Sequence, residues 1–338
     1  MARDYQTLVA ELKAQPKRWL VTGAAGFIGS NLCLRLLELG QQVLGFDNFL
    51  TGKPANVAEV RTAGGARFSF SEGDIRDLAA CRQAAAGIDY VLHQAALGSV
   101  PRSIEDPALS LGVNVDGFLN MLLAARDAKV KCFVYASSSS VYGDAAESPK
   151  VEERIGEALS PYAVSKRVNE LQAAVFARCY AMQCRGLRYF NVFGPRQDPE
   201  GAYAAVIPRW IGKLLAGEAC TIYGDGKTTR DFCYIENVMQ ANILAAVSGA
   251  EPGPHSVYNI ACGEASSLNE LYQAITAELS GLLPERSLPA LAYEAFREGD
   301  IRHSLASIEK AQRDLGYMPV VKFAEGVAAT VRFAVSPQ

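Results

Sequence analysis

The sequence predicts a doubly wound α/β fold, an open parallel sheet with helices on both faces, with a smaller C-terminal unit interleaved with it. Three observations lead there. A short apolar strand ending at Thr22 runs into Gly23-Ala24-Ala25-Gly26-Phe27-Ile28-Gly29, which opens an apolar helix. Short apolar runs then alternate with helical stretches along the chain, and strands separated by helices imply right-handed crossovers and parallel pairing. After Pro195 the elements shorten and are punctuated by glycine, proline and polar residues.

The elements follow in order. Tyr5, Leu8, Val9 and Leu12 are helix-spaced and end near Pro16, giving a short peripheral helix over residues 5–15. A strand runs to Thr22, a helix opens at the glycine loop, and a second strand, residues 42–46, ends in Asp47. In such a unit the glycines let the backbone approach a pyrophosphate held at a helix N-terminus, and the acid accepts the adenosine ribose hydroxyls. The spacing is G-x-x-G-x-x-G rather than G-x-G-x-x-G; the strand before it, the helix after it and an acid 18 residues past the last glycine raise it above a tight turn. Asp47 would repel a 2′-phosphate, and Asn48 rather than arginine follows it, so NAD is expected rather than NADP.

Next come a strand near residues 67–70 with Asp74 and Ile75 past its end, a helix over residues 78–86, and a strand over residues 90–92 delivering His93-Gln94-Ala95-Ala96. A long helix over residues 108–128 and a strand over residues 132–136 follow, the strand carrying Ser137-Ser138-Ser139-Ser140 to the carboxyl edge where such sheets bind ligands. A helix opens at Pro161, and a strand over residues 185–190 ends in Asn191. Farther on, Gly224-Asp225-Gly226 turns the chain just before Arg230, and residues 257–261 read as a strand returning to the first sheet. The expected division is residues 1–193 and 231–263 for the dinucleotide-binding (Rossmann) domain and residues 194–230 and 264–338 for the smaller one.

Composition narrows the class. With 338 residues, 49% hydrophobic and 20% charged, the chain suits one large domain or two sharing a core and excludes a disordered or fibrous one. A formal net charge of −3, with lysine and arginine scattered, offers no basic face for nucleic acid or an anionic membrane. The eight cysteines (Cys33, Cys81, Cys132, Cys179, Cys184, Cys220, Cys233 and Cys262) form no C-x-x-C pair and sit mostly in apolar runs, as small buried side chains do in a reducing cytoplasm. His93, His255 and His303 are too dispersed for a metal site, and no metal is expected. The N-terminal stretch is charged and lacks an apolar signal core, and no uninterrupted apolar run approaches the roughly 18 residues of a membrane span. A cytoplasmic protein is expected.

On the helix from Pro161, Tyr162 and Lys166 stand one turn apart on one face, an ammonium beside a phenol. A fixed positive charge favours the phenolate, so Tyr162 is expected to leave the usual pKa of about 10 and act as a base near neutral pH. Val164, Val168, Leu171 and Val175 recur at i, i+4, i+7 and i+11 and support the helix. Tyr-x-x-x-Lys alone occurs in many helices, and a serine run after a strand is more often a turn than a site; both at one sheet edge point to acid–base chemistry. Arg230 has the alternative of pairing with Asp231 or Glu236 at the surface, and Tyr142 of simply packing. Asn114 has the alternative of capping or bracing the neighbouring helix, against supporting the site through backbone or water contacts, while His93 and His303 read as structural.

These motifs, in this order and spacing, resemble the extended short-chain dehydrogenase/reductase family that acts on nucleotide sugars: Gly23-x-x-Gly26-x-x-Gly29, Asp47, Asp74, Ser138-Ser139-Ser140-Val141-Tyr142-Gly143, Tyr162-x-x-x-Lys166, Asn191 and Arg230-Asp231-Phe232. The likeness covers roughly residues 18–330. Pro161-Tyr162-Ala163-Val164-Ser165-Lys166, Tyr189-Phe190-Asn191-Val192-Phe193-Gly194-Pro195, Gly201-Ala202-Tyr203-Ala204-Ala205-Val206-Ile207-Pro208 and Arg297-Glu298-Gly299-Asp300-Ile301-Arg302-His303-Ser304 look most like the UDP-N-acetylglucosamine 4-epimerases of bacterial surface-polysaccharide pathways.

The resemblance implies NAD held by Gly23, Gly26, Phe27, Ile28, Gly29, Asp47, Asn48, Asp74, Ile75, Gln94, Ala95, Ala96, Asn114, Tyr162, Lys166 and Tyr189. It implies that Ser138 and Ser139 join Tyr162 and Lys166 in catalysis by bonding the sugar 4-oxygen, and that Ser99, Asn191, Ala205, Val206, Tyr223, Arg230, Arg297, Asp300 and Ser304 also hold the UDP-sugar. Ser304 stands where enzymes confined to UDP-glucose and UDP-galactose carry a bulky tyrosine. A homodimer through the helices at residues 108–128 and 161–180 is implied as well. The expected reaction is C4 epimerisation through a 4-keto sugar, with UDP-N-acetylglucosamine and UDP-N-acetylgalactosamine preferred over UDP-glucose and UDP-galactose. The rivals of the same fold are another nucleotide-sugar 4-epimerase and a nucleotide-sugar 4,6-dehydratase or decarboxylating enzyme, the dehydratase branch carrying an Asp–Glu pair where this chain has serines. A rival of another class is a non-catalytic NAD-sensing protein, whose usual mark would be a missing tyrosine or lysine.

Overall fold

In the computed structural model, which describes residues 5–199, 205–247, 253, 255–296 and 302–336, seven strands lie side by side. They are β1 (Arg18–Thr22), β2 (Gln42–Asp47), β3 (Phe68–Glu72), β4 (Tyr90–His93), β5 (Cys132–Ser138), β6 (Cys184–Tyr189) and an edge strand, His255–Ile260. From one edge the order is His255–Ile260, β6, β5, β4, β1, β2, β3, and every pairing is parallel. The strands read as nearly continuous apolar runs because both faces are covered. Trp19 and Val21 enter one apolar layer with Leu32, Leu36 and Val238, while Leu20, Phe133 and Tyr135 enter the other with Met121, Leu122 and Phe176.

The strand order reverses direction between β1 and β4, where successive crossovers leave on opposite sides and open a crevice at the carboxyl edge. α1 (Tyr5–Ala14) buries Leu8, Val9 and Leu12 against the first layer, as its spacing predicts. α2 (Phe27–Glu38) follows the glycine loop, α3 (Pro54–Gly64) joins β2 to the edge at β3, and α4 (Leu78–Ala85) leads to β4.

The rod expected over residues 108–128 is present but not uniform. It comprises α6 (Pro107–Leu111), a π-helical stretch Gly112–Gly117 and α7 (Phe118–Asp127), and an unanticipated helix, α5 (Val100–Glu105), precedes it. The break has local causes: Ser99 and Asp106 cap the two short helices by accepting from the Arg102 and Leu109 amides, with a proline in each first turn. Residues 107–127 are long and apolar enough to cross a membrane by length and composition, yet half of that window is buried inside the fold, as in a core helix.

α8 (Pro161–Tyr180) has the expected bounds, but its apolar stripe is not its core face. It buries Ala163, Ser165, Lys166, Asn169, Glu170, Ala173, Phe176 and Ala177, while Val164, Leu171 and Val175 are exposed. Polar residues turn inward here because each finds a partner there, as the site shows.

Beyond β6 the chain builds small sheets and then returns. Thr221–Tyr223 pairs with Ala292–Glu294, and Thr229–Arg230 lies between Ser266–Ser267 and His303–Ser304. Between these segments the chain forms the helix Ile235–Val247 and the edge strand of the main sheet, so the smaller unit is interleaved with the larger.

Candidate active site

The crevice is a cavity of about 510 Å³ walled by the glycine loop, the end of β2, the segment after β4, the serine run, and Tyr162 and Lys166 of α8. Two glycines are required by space. Gly23 has φ +70°, and a Cβ there would lie 2.8 Å from the Ala95 nitrogen; at Gly29 it would lie 2.0 Å from the Gly23 carbonyl oxygen. α2 starts behind Gly26 with no side-chain cap, leaving its first amides to an anion. Asp47 accepts from the amides of Ala25 at 3.0 Å and Phe49 at 2.7 Å; burial raises its carboxyl above the usual range, and these amides pull it back. Beside it, Asn48 donates to Asp74 at 2.8 Å, and Arg76 holds Asp74 down at about 2. Amides for a diphosphate, carboxylates for ribose hydroxyls and an Asp74–Ile75 wall fit a dinucleotide.

At the other end of the cavity lie Ser138, Ser139, Ser140, Tyr162, Lys166, Tyr189 and Asn191. Ser138 both ends β5 and caps the turn that follows, its oxygen accepting from the Ser140 amide at 3.1 Å. The Tyr162 phenol has Ser138 as the neighbour that lowers its pKa. Lys166 donates to the Ala136 carbonyl at 2.8 Å and lies 5.9 Å from the centre of the Tyr162 ring. The expectation that the Lys166 charge draws Tyr162 toward phenolate needs correction: burial pushes Tyr162 up, and Ser138 is what opposes it. Burial also pushes Lys166 down to about 8, with Glu170 acting in the opposite sense.

Of the groups that hold this pair, sequence reasoning singled out Asn114 and missed Ser103, Ser165 and Glu170. The Ser103 hydroxyl accepts from the Tyr162 amide at 3.1 Å, and Ser165 donates to the Tyr162 carbonyl at 2.7 Å. Asn114, in the π-helical stretch, donates to Ser165 at 3.2 Å and bonds both ways to the Leu97 backbone, and its carbonyl accepts from Asn169 at 2.7 Å. It braces the cavity from behind and does not line it. Glu170 is nearly fully buried and takes Arg188 through both oxygens, at 2.8 and 2.9 Å, with Ser137 at 2.7 Å and Arg167 at 3.0 Å. One signal was available: Glu170 follows Lys166 by one helical turn. Tyr189 and Gln94 are tied together at 3.1 Å and share Asn242. His93 accepts or donates to Thr22 at 2.9 Å and is pushed down to about 3 by burial, a structural role as read.

A second cavity of about 370 Å³ adjoins the first through Val100, Ser139, Ser140 and Asn191, and contains Arg230 and Ser304. Those two residues come together because His303–Ser304 pairs in register with Thr229–Arg230. Asn191, at φ 36°, belongs to both cavities, and its side chain donates to the Asp231 carbonyl at 3.0 Å. Asp231 itself is buried against the amides of Cys262, Gly263 and Ala306, so it anchors backbone instead of facing the cavity; burial raises it to about 6. Ser99, Ala205, Val206 and Tyr223 lie off both cavity walls, and the Ser99 oxygen is engaged as a helix cap. Arg297 and Asp300 fall outside the described residues.

The family model described as the NAD dependent epimerase/dehydratase family matches residues 19–261. The chain is 37% identical to a UDP-glucose 4-epimerase of Mycolicibacterium smegmatis, over 94% of this chain and 98% of that protein. It is 36% identical to a dTDP-glucose 4,6-dehydratase of Streptomyces griseus, covering 92% of each. Among solved structures, a UDP-N-acetylglucosamine 4-epimerase from Methanobrevibacter ruminantium, in complex with UDP-N-acetylmuramic acid, superimposes with a TM-score of 0.85 at 36% identity, over 95% of this chain and 98% of that one.

Proposed function

Because the chain belongs to the NAD-dependent epimerase/dehydratase family, we propose that it is a cytoplasmic UDP-sugar 4-epimerase interconverting UDP-N-acetylglucosamine and UDP-N-acetylgalactosamine. One observation carries the reaction type: Tyr162, Ser138 and Lys166 share a cavity end that has no carboxylate among the described residues, whose acids on the cavity wall are Asp47 and Asp74 near the glycine loop. A 4,6-dehydratase needs a further acid and base to remove the C5 proton and expel the 6-hydroxyl. Glu170, the nearby acid, is held by Arg188, Ser137 and Arg167 away from the cavity wall.

When bound, NAD supplies the acceptor and donor of hydride at sugar C4. Tyr162 takes the proton of the 4-hydroxyl and later returns it, with Ser138 bridging the two oxygens. Between these transfers the 4-keto sugar turns over and presents its other face. Arg230 and Asn191 hold the diphosphate end, and Lys166 holds the nicotinamide ribose.

Ser304 sets the sugar preference in this reading. The C2 substituent sweeps through the far side of the pocket as the keto sugar turns, and a serine leaves room for an acetamido group where a tyrosine ring would overlap it. A roomy pocket merely loses contacts with a smaller sugar, at about 1–3 kcal/mol, so UDP-glucose and UDP-galactose are expected to turn over about 10- to 200-fold less efficiently. Ser304→Tyr should abolish turnover of the acetamido sugars and spare the plain hexoses. A side-by-side assay on four UDP-hexoses tests both statements; unchanged turnover of UDP-N-acetylgalactosamine by Ser304→Tyr would remove Ser304 from the pocket. Loss of one water in the product mass would replace epimerisation by elimination.

The outward stripe of α8 supports a homodimer. Val164, Leu171 and Val175 are 44%, 51% and 50% exposed along one face, more apolar side chain than a lone helix usually leaves in water. Leu171→Glu, with Val175→Glu, should convert a dimer to a monomer in light scattering while leaving the fold intact, because neither residue contributes to the core. A wild-type protein that is monomeric at micromolar concentration would reject the dimer.

A further inference from the structure

Behind the wall of the first cavity, the helix Ile235–Val247 packs into the first apolar layer through Ile235, Val238, Ala241, Ile243 and Leu244. Asn242 stands amid that packing with no exposed surface, and it does not line the cavity. A buried carboxamide costs free energy unless its hydrogen bonds are made, whereas an apolar side chain of similar size would need none. Both polar atoms of Asn242 are engaged. Its Nδ2 donates at 2.8 Å to the Val238 carbonyl, one turn back in the same helix, and at 2.8 Å to the Tyr189 hydroxyl, while its Oδ1 accepts from Gln94 Nε2 at 3.1 Å. The Tyr189 hydroxyl closes the ring by donating to Gln94 Oε1 at 3.1 Å, with Asn242 Oδ1 3.2 Å away.

This ring has one sense. The Val238 carbonyl takes only a donor, so it fixes which end of the Asn242 amide is nitrogen; Asn242 Oδ1 then fixes the Gln94 nitrogen, and Gln94 Oε1 takes the phenol hydrogen. A helix carbonyl two links away thus sets the orientation of a side chain on the cavity wall. Gln94, just after β4, and Tyr189, at the end of β6, both line the cavity. A carboxamide nitrogen has two hydrogens; Asn242 uses one of those on Gln94, and the other has no partner among the described residues.

We infer that Asn242 is a positioning residue for the nicotinamide end of NAD, holding the Gln94 carboxamide and the Tyr189 phenol in the arrangement that offers that end a hydrogen-bond donor. The nicotinamide group carries a carboxamide whose oxygen accepts such a donor, while the adenosine and diphosphate are assigned to Asp47 and the glycine loop. This rests on the reading that the nicotinamide lies at the Tyr162 end of the cavity, and it is independent of which sugar turns over. The plain alternative, that Asn242 only fills the layer between helix and sheet, makes no distinction between the two ends of the cofactor.

The test titrates NAD-depleted full-length protein by calorimetry with NAD and with ADP-ribose, which lacks the nicotinamide, in the wild type, Asn242→Leu, Gln94→Leu and the double variant. Asn242→Leu should weaken NAD by roughly 3- to 10-fold, the range of one neutral hydrogen bond, and leave ADP-ribose within about 2-fold. Gln94→Leu should show the same selective loss. Because Asn242 acts through Gln94, the double variant should lose less than the product of the two single losses. Equal weakening of NAD and ADP-ribose in Asn242→Leu, or an unchanged NAD affinity, would reduce Asn242 to packing and overturn the inference, as would single losses that multiply in full. A wild type that binds ADP-ribose as tightly as NAD would overturn the placement of the nicotinamide, and the inference with it. Should Asn242→Leu fail to fold, Asn242→Ala opens the same ring without needing room and is held to the same outcomes.

Discussion

Tyr162→Phe is expected to lower epimerisation by about 100- to 10,000-fold, the span contributed by a positioned general acid or base. The substitution removes one oxygen from a ring whose backbone is held independently of it, by Ser103 at the amide and Ser165 at the carbonyl. Neither bond involves the phenol, so the fold and NAD binding should survive, and the loss should fall on kcat. The hydroxyl is the group whose pKa Ser138 lowers, and with it goes the path by which a proton leaves and re-enters the sugar 4-oxygen. A folded, NAD-loaded Tyr162→Phe protein that kept more than a tenth of wild-type activity would end this assignment.

Glu170→Ala is expected to cost about 3–5 kcal/mol of stability, because it strands Arg188, which is only 2% exposed, without its counter-ion. For a chain of 338 residues that corresponds to a melting temperature about 4–7 °C lower. The bond from Arg188 to the Glu152 carbonyl at 3.0 Å remains but does not neutralise the charge. Burial pushes the Glu170 carboxyl up, and the bonds from Arg188, Ser137 and Arg167 outweigh it, so the net shift is downward. A depressed carboxyl stabilises the fold above its unfolded value of 4.5, and that contribution is lost as pH falls below it. Glu170→Gln should therefore flatten the acid side of the stability profile.

The same variant carries a kinetic signature that simple unfolding does not produce. Lys166, held near 8 by burial, is raised by the Glu170 charge; neutralising Glu170 moves the lysine lower still. The alkaline limb of the pH–rate profile, where Lys166 loses its proton, should therefore shift to lower pH in Glu170→Gln. A melting temperature within 1 °C of wild type in Glu170→Ala, or an alkaline limb that stays in place or moves up in Glu170→Gln, would show that the network does not govern the lysine.

How far the sequence reached depended on which interactions are local. Gly23, Gly26 and Gly29 between a strand and a helix, Asp47 at the end of the next strand, and Tyr162 one turn before Lys166 are relations over short spans, fixed by backbone periodicity and by what space a Cβ needs. They determined the fold class, the cofactor and the end of the sheet where the site lies. The uneven rod around Asn114 was not legible, because a π-helical turn depends on a carbonyl finding Asn169 on another helix. The inward face of α8 was not legible either: nothing local to the helix brings Arg188, Asn114 and Ser137 beside Glu170, Ser165 and Asn169. Whether a buried phenol ionises was likewise beyond the sequence, since spacing sets the distance between Tyr162 and Lys166 but only tertiary enclosure sets the desolvation that opposes their charges. Ser304 met Arg230, and Asn242 met Gln94, through contacts between segments more than seventy residues apart, which the order of residues alone does not determine.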